Sequence, residues 1–144
     1  MTNVVISDNR SYGISLTTTN LAGVLAVLDH VSAINNKSDG LSFCHVGCGV
    51  TRIGISESVF TNSSTGGGVN CSSAGPSVIC TIRNSAIINN AGTEMTGGGA
   101  QVLLTRSTIM GNGSSWVGSV QSYGDNEIDF NMDANPTPPS VAHK

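Results

Sequence analysis

The residue types suited to acid–base chemistry in this sequence recur on one register. His30, Glu57, Asn84 and Arg106 occupy equivalent positions in successive copies of a repeated phrase, and Asp29, Ser56, Arg83 and Thr105 stand just before them. If each copy is one coil of a stacked chain, His30 and Glu57 lie about 4.8 Å apart between backbones, close enough for a side-chain hydrogen bond. That pair is a candidate acid–base unit, and His30, Glu57, Arg83 and Arg106 are the candidate catalytic set. The other use of such a column is a polar ladder at a bend. Glycoside hydrolysis needs two carboxylates facing each other roughly 5 to 10 Å apart. Glu57 has no acidic partner in its own column, so the spacing favours the ladder.

The elements that position these residues follow from the repeat itself. Its copies are Met1 to Asn9, Leu28 to Asn36, Ile55 to Ser63, Ile82 to Asn90 and Leu104 to Asn112, with first residues 27, 27, 27 and 22 positions apart. A period in that range marks stacked supersecondary units, not a core assembled from distant segments. Val24, Ala26 and Leu28 match Thr51, Ile53 and Ile55, then Val78, Cys80 and Ile82, then Ala100, Val102 and Leu104. Such strict alternation is that of a strand with one face buried. Ile6, Ala33, Phe60, Ile87 and Ile109 form a second apolar column, each followed three residues later by Asn9, Asn36, Ser63, Asn90 or Asn112. Asn tolerates left-handed backbone and bonds backbone groups across a bend, so these residues are expected to form an amide ladder along one corner.

A glycine-led strand is expected to follow at Gly13, Gly40, Gly68, Gly99 and Gly118, with the drop from 27 to 22 read as a shortened turn between retained strands. The runs Gly66 to Gly68 and Gly97 to Gly99 lack the Lys-Ser/Thr of a phosphate loop and read as corners. The pattern predicts an all-β chain, a right-handed parallel β-helix of about five to six coils stacked to a height on the order of 25 Å. An antiparallel sandwich would not require equivalent residues to share a column.

At 144 residues the chain reads as one domain, 1–144, with 124–144 as C-terminal coil, cap and tail. Only 10% of residues are charged and the net charge is −3, which leaves no basic stripe for nucleic acid and no polybasic patch for anionic lipid. No apolar run approaches the roughly 20 residues that span a bilayer, and Met1 enters the first repeat with no signal peptide before it. A soluble chain is the expectation.

The phrases NSAIINN with TGGGA after it, and RSTIMGN followed by QSYGDNEIDFN, resemble bacterial right-handed parallel β-helix repeat proteins of the broad pectate-lyase-like superfamily. The resemblance covers almost the whole chain, and its motifs are structural. It implies exported or cell-surface proteins, many of which bind or cleave acidic polysaccharides. Within it, Val27-Leu28-Asp29-His30 is similar to a short phrase of pectate lyases. Lyase chemistry of that kind needs calcium-binding carboxylates in a cluster and a base poised to remove a proton, and the Asp29 column supplies no acidic cluster.

Cys71 aligns with Phe43 and Cys80 with Ile53, so both are expected inward as small hydrophobes with free thiols. Cys44 and Cys48 bracket a corner, where a disulfide is open to them; zinc would need ligands beyond His45. In the tail, Asp125, Glu127, Asp129, Asn131, Asp133 and Asn135 share one parity and Ile128, Phe130 and Met132 the other. A last strand with the apolar set inward would show a row of oxygens, either a calcium surface or, as favoured here, acidic groups that blunt an open edge. No cofactor is required. The aromatic sugar platforms are Trp116 and Tyr123. The sequence thus reads as a non-catalytic binding or assembly module for a glycan or protein partner, with a polysaccharide lyase or glycoside hydrolase as the alternative. Apolar Val4, Val5 and Ile6 at an uncovered first strand, against a proline segment at Pro136, Pro138 and Pro139, point to self-association as a closed dimer.

Overall fold

Apolar alternation becomes strand wherever it occurs. The structure, a computed structural model, describes residues 1–18, 23–45, 50–73, 78–92 and 95–142, and at 45 and 95–99 the backbone alone. Among the described residues there are no helices and thirteen strands: β1 (Thr2–Ser7), β2 (Ile14–Thr18), β3 (Leu25–Ile34), β4 (Leu41–His45), β5 (Thr51–Ser56), β6 (Val59–Thr61), β7 (Val69–Ser73), β8 (Val78–Arg83), β9 (Ala86–Ile88), β10 (Met95–Thr105), β11 (Thr108–Met110), β12 (Val117–Ser122) and β13 (Glu127–Asp129). They join in one curled sheet whose strand pairs are parallel, consistent with a β-helix-like solenoid.

The register puts equivalent residues on top of one another. Leu28 pairs with Ile55, Ile55 with Ile82 and Ile82 with Leu104. Ile6, Ala33, Phe60, Ile87, Ile109 and Ile128 form the second stack in that order. Ala33, Phe60, Ile87 and Ile109 are completely buried, and each large apolar side chain in such a stack contributes about 1.5 to 3 kcal/mol through removal from water. A third stack runs Ile14, Leu41, Val69. The glycine before it has a steric reason: a Cβ on Gly13 would lie 2.7 Å from Asn36 Nδ2 and 2.7 Å from the Gly40 carbonyl oxygen.

The chain turns at two bends, both built on left-handed residues. At the first, Asn3, His30, Glu57, Asn84 and Arg106 have φ of 54°, 52°, 48°, 47° and 46°; at the second, Asp8, Asn35, Asn62, Asn89, Gly111 and Phe130 have 59°, 55°, 59°, 55°, 68° and 55°. A left-handed residue interrupts the in–out alternation, so two successive side chains face outward and the next points in. Hence Leu28 is buried, Asp29 and His30 lie outside, and Val31 is buried again.

Where strand geometry breaks, the next backbone N–H loses its carbonyl partner, and a buried unpaired amide costs about 1 to 3 kcal/mol. Side chains of the adjacent coil supply the missing acceptor. At the second bend Asn36, Asn90, Asn112 and Asn131 are buried. The N–H of Ser63 donates to Asn90 Oδ1, that of Asn90 to Asn112 Oδ1 and that of Asn112 to Asn131 Oδ1, each at 3.0 Å. Each amide Nδ2 of Asn90, Asn112 and Asn131 donates back to the carbonyl of Phe60, Ile87 or Ile109. At the first bend serines do the same work: Ser58 Oγ accepts from Val31 N–H at 3.1 Å, Ser85 Oγ from Ser58 N–H at 3.2 Å, and Ser107 Oγ from Ser85 N–H at 3.3 Å. Each of these hydroxyls donates to the carbonyl two residues before it. The amide ladder was expected; the serine ladder was not.

Three expectations are corrected. The tail parity ends at Asp129, because Phe130 is left-handed: Phe130 and Met132 are 73% and 87% exposed while Asn131 turns inward as the last rung. The glycine-led strand of the fourth coil starts at Met95, which pairs with Val69, and not at Gly99. Gly97 to Gly99 therefore lie inside β10, at a register shift against β12 between Gly97 and Gln101, and make no corner. One continuous strand replaces two strands and a turn there, which accounts for the shortened period.

Two tests follow. Ile87→Asp places an unpaired charge in the stack and is expected to cost about 4 kcal/mol or more; Ile88→Asp, on the outward side, stays within about 1 kcal/mol. Equal damage in urea titrations contradicts the register. Ser63 is the short rung of the amide ladder, and its buried hydroxyl has no hydrogen-bond partner. Ser63→Asn is expected to stabilise by about 1 kcal/mol, whereas Asn36→Ala and Asn90→Ala each cost about 1 to 3 kcal/mol. Asn70→Ala, outside the ladder and with an already unpartnered side-chain oxygen, is the control; uniform effects at these four positions contradict the ladder.

Candidate functional site

The outward side of the first bend carries all four sequence-derived site residues. His30, Glu57, Arg83 and Arg106 are exposed, displayed there because the left-handed position and the residue before it both face away from the core. His30 and Glu57 bond to other partners than each other. His30 Nδ1 lies 3.0 Å from Asp29 Oδ2, its neighbour in sequence. Glu57 Oε1 instead accepts from Asn84 Nδ2 at 2.6 Å, one coil further on. Asp29 Oδ1 accepts from Ser56 Oγ at 2.6 Å. The Ser56 hydroxyl, and after it His30, hold the Asp29 carboxyl below its ordinary value; burial opposes them weakly, and the charges of His30 and Arg83 add to the lowering.

In this arrangement serine and imidazole both bind the carboxylate, so the Ser56 hydroxyl faces Asp29 and not an imidazole. Glu57 is committed to an amide donor. The surface between the coils is a shallow open depression of about 460 Å³ bordered by Glu57, Asn84, Arg106 and Thr108. It offers alternating acid, amide and guanidinium groups along the stack, which is chemistry for holding a polar polymer by hydrogen bonds.

A second depression, of about 510 Å³, follows the outer side of the second bend along Asn62, Asn89, Ser64, Gly111 and Met132. Sequence reasoning passed over this surface, although the Asn repeated at 35, 62 and 89, just before three of the ladder rungs, was its signal. Phe130 continues the column beside it as an exposed aromatic face. Of the two expected platforms, Trp116 packs against the core and donates from Nε1 to the Pro136 carbonyl at 2.9 Å, and Tyr123 is half-buried.

The expected row of tail oxygens is dispersed. Asp125 accepts from Thr105 Oγ1 and the Arg106 N–H, Asn131 is inside, and Asp133 Oδ2 accepts from the Ser115 N–H at 2.8 Å and Ser115 Oγ at 2.7 Å. Among the described residues no group of three or more His, Cys, Asp or Glu side chains is placed to hold a metal ion. The Cys44–Cys48 pairing and a zinc site with His45 fall partly outside the described residues. Cys71 and Cys80 are buried free thiols, as expected. The proline segment lies along β12: Ser122 N–H donates to the Pro139 carbonyl and Val141 N–H to that of Ser122. No helix of the described residues is long and apolar enough to cross a membrane.

No protein-family model matches the chain, and no curated protein or solved structure matches it.

Burial would raise the Asp133 carboxyl, but hydrogen bonds from the Ser115 hydroxyl and N–H and from the Asn135 N–H outweigh it and hold the group below 3.8. A depressed carboxyl contributes stability that is complete above its unfolded value and is lost as pH falls through its lower folded value. The segment around Trp116 is therefore expected to loosen below pH 3.8, the ordinary value, seen as a red shift of Trp116 fluorescence. Asp133→Asn removes that acid step; identical acid profiles in the two proteins contradict the assignment.

Proposed function

We propose that the chain is a right-handed parallel β-helix of about five to six coils that binds an extended polysaccharide along its bends without transforming it. The reading places it with the pectate-lyase-like β-helix proteins, among those exported or held at the cell surface. The observation that carries it is the use made of the polar columns. His30, Glu57, Asn84 and Arg106 serve as left-handed bend residues, and the acid groups among these columns are taken up by Ser56, His30 and Asn84. What remains outward is a periodic array of donors and acceptors at about 4.8 Å, suited to a polymer of repeating hydroxyls. Catalysis would need convergence, and the array does not converge.

The second reading, a lyase, is favoured by the Asp29–His30 pair and the proximity of Arg83 to Asp29. A panel of acidic and neutral polysaccharides, with and without calcium, separates the two. Binding without product is expected, with affinity reduced several-fold in Arg106→Ala. Release of unsaturated or reducing ends that is lost in Glu57→Gln or Arg106→Ala would overturn the binding reading.

Self-association belongs to the same proposal. Among the described residues β1 pairs only with β3, and Val5, Leu25 and Val27 stand 72%, 75% and 52% exposed beside that edge. Two copies meeting there would cover it in a closed dimer. Sedimentation at micromolar concentration is expected to give a dimer that Val5→Lys dissociates; a strictly monomeric protein contradicts it.

A further inference from the structure

Phe130 does nothing for the fold that asparagine would not do better. It is left-handed, with φ of 55°, in a column otherwise filled by Asp8, Asn35, Asn62, Asn89 and Gly111. That conformation suits Asn and Gly and is strained for a bulky side chain. At 73% exposure the ring gains little from burial to offset the strain. Local hydrogen bonds hold the backbone in place: Asp129 Oδ1 accepts from the Phe130 N–H at 2.8 Å and from Asn135 Nδ2 at 3.4 Å, and Asn135 Oδ1 accepts from the Asn131 N–H at 2.8 Å. An aromatic side chain is thus presented to solvent from a fixed position.

The surface beside it differs in kind from the first bend. Among the described residues, the depression of about 510 Å³ bordered by Asn62, Asn89, Gly111 and Met132 has no charged side chain on its walls, whereas Glu57 and Arg106 border the one at the first bend. Asn35 Nδ2 is bonded to Asp8, but the exposed side-chain amides of Asn62 and Asn89 make no hydrogen bond among the described residues. Gly111 lets the Asn89 amide lean toward the last coil, since a Cβ there would lie 2.4 Å from Asn89 Oδ1. Phe130 follows one coil on, with β13 in register with β11 and the Gly111 N–H donating to the Asp129 carbonyl. Two free amides therefore lead, at about 4.8 Å per coil, to an exposed ring, with Met132 exposed beside it.

We infer that the C-terminal half of the second bend is a subsite for an uncharged pyranose chain, one sugar ring lying against Phe130 while its neighbours hydrogen-bond to Asn89 and Asn62. This rests on the reading of the protein as a polysaccharide binder and assigns the ligand class at this bend. The negative face of an aromatic ring attracts the polarised C–H face of a pyranose, and a primary amide offers donors and an acceptor together to adjacent hydroxyls. A uronic-acid chain is disfavoured, because no cation lines the depression and the exposed Asp129 carboxylate beside the platform repels it. The fixed backbone at Phe130 spares the ligand the cost of ordering the platform.

The test is titration calorimetry of the full chain with cellohexaose, xylohexaose, mannohexaose and hexagalacturonate. A neutral hexasaccharide is expected to bind with an affinity that salt does not change, to lose about ten-fold or more in Phe130→Asn, and to weaken several-fold in Asn89→Gly. Tyr12→Ala, an exposed aromatic at the other end of the stack, keeps the full affinity. Phe130→Asn also places a residue suited to left-handed backbone, so its urea midpoint is expected to rise while binding falls, which separates a platform from a structural residue. Unchanged neutral-sugar affinity in Phe130→Asn, or a lower midpoint, overturns the inference. Binding of hexagalacturonate alone, weakened by Arg106→Ala and not by Phe130→Asn, overturns this subsite and leaves the polysaccharide reading standing; no binding of any of the four overturns both.

Discussion

The structure depends on how backbone amides are satisfied where the chain turns. Parallel strands satisfy one another along the walls, but each left-handed bend strands an N–H inside the fold. Side-chain oxygens of one coil accept from amides of the coil before it, those of Ser58, Ser85 and Ser107 at the first bend and of Asn90, Asn112 and Asn131 at the second, while the hydroxyl of the Ser63 rung has no partner. Neither ladder can form within a single coil, so the bend itself becomes a reason for coils to stack. The apolar stacks supply most of the gain from burial, and the ladders fix the register in which it is realised.

The same constraint divides the surface from the core. A rung residue must be small and polar and must point inward; the residue before it must tolerate positive φ and points out. Asn meets the second demand readily, whereas His30, Glu57, Arg106 and Phe130 hold it against the preference of their side chains. Placing such residues there gives the exposed columns varied chemistry without touching the fold.

Much of this was legible from the repeat. Period and alternation located the strands, the stacking of Phe60 on Ile87 and the inward Cys71 and Cys80, because a register that buries one face admits no slip. The corner asparagines announced their ladder. The serines of the first bend went unread because Ser58, Ser85 and Ser107 look like solvent-facing polar residues until the left-handed residue before each is known. The tail failed for the same reason: alternation continued through Phe130 places Asn131 outside, and only its φ of 55° turns Asn131 into the last rung. At the candidate site the polar column was legible, but not that the cross-coil bond within it joins Asn84 to Glu57. A side chain at a bend has its sequence neighbour as close as its equivalent in the next coil, and His30 takes Asp29 rather than Glu57.

Amide hydrogen exchange tests the central claim most directly. The N–H groups of Val31, Ser58, Ser85, Ser63, Asn90 and Asn112 have side-chain oxygens of the next coil, not backbone carbonyls, as their acceptors. The account predicts that they exchange as slowly as the amides of the central strands β5 and β8, through the same cooperative opening. Exchange at these six positions at the rate of exposed turn amides, while β5 and β8 stay protected, would contradict it.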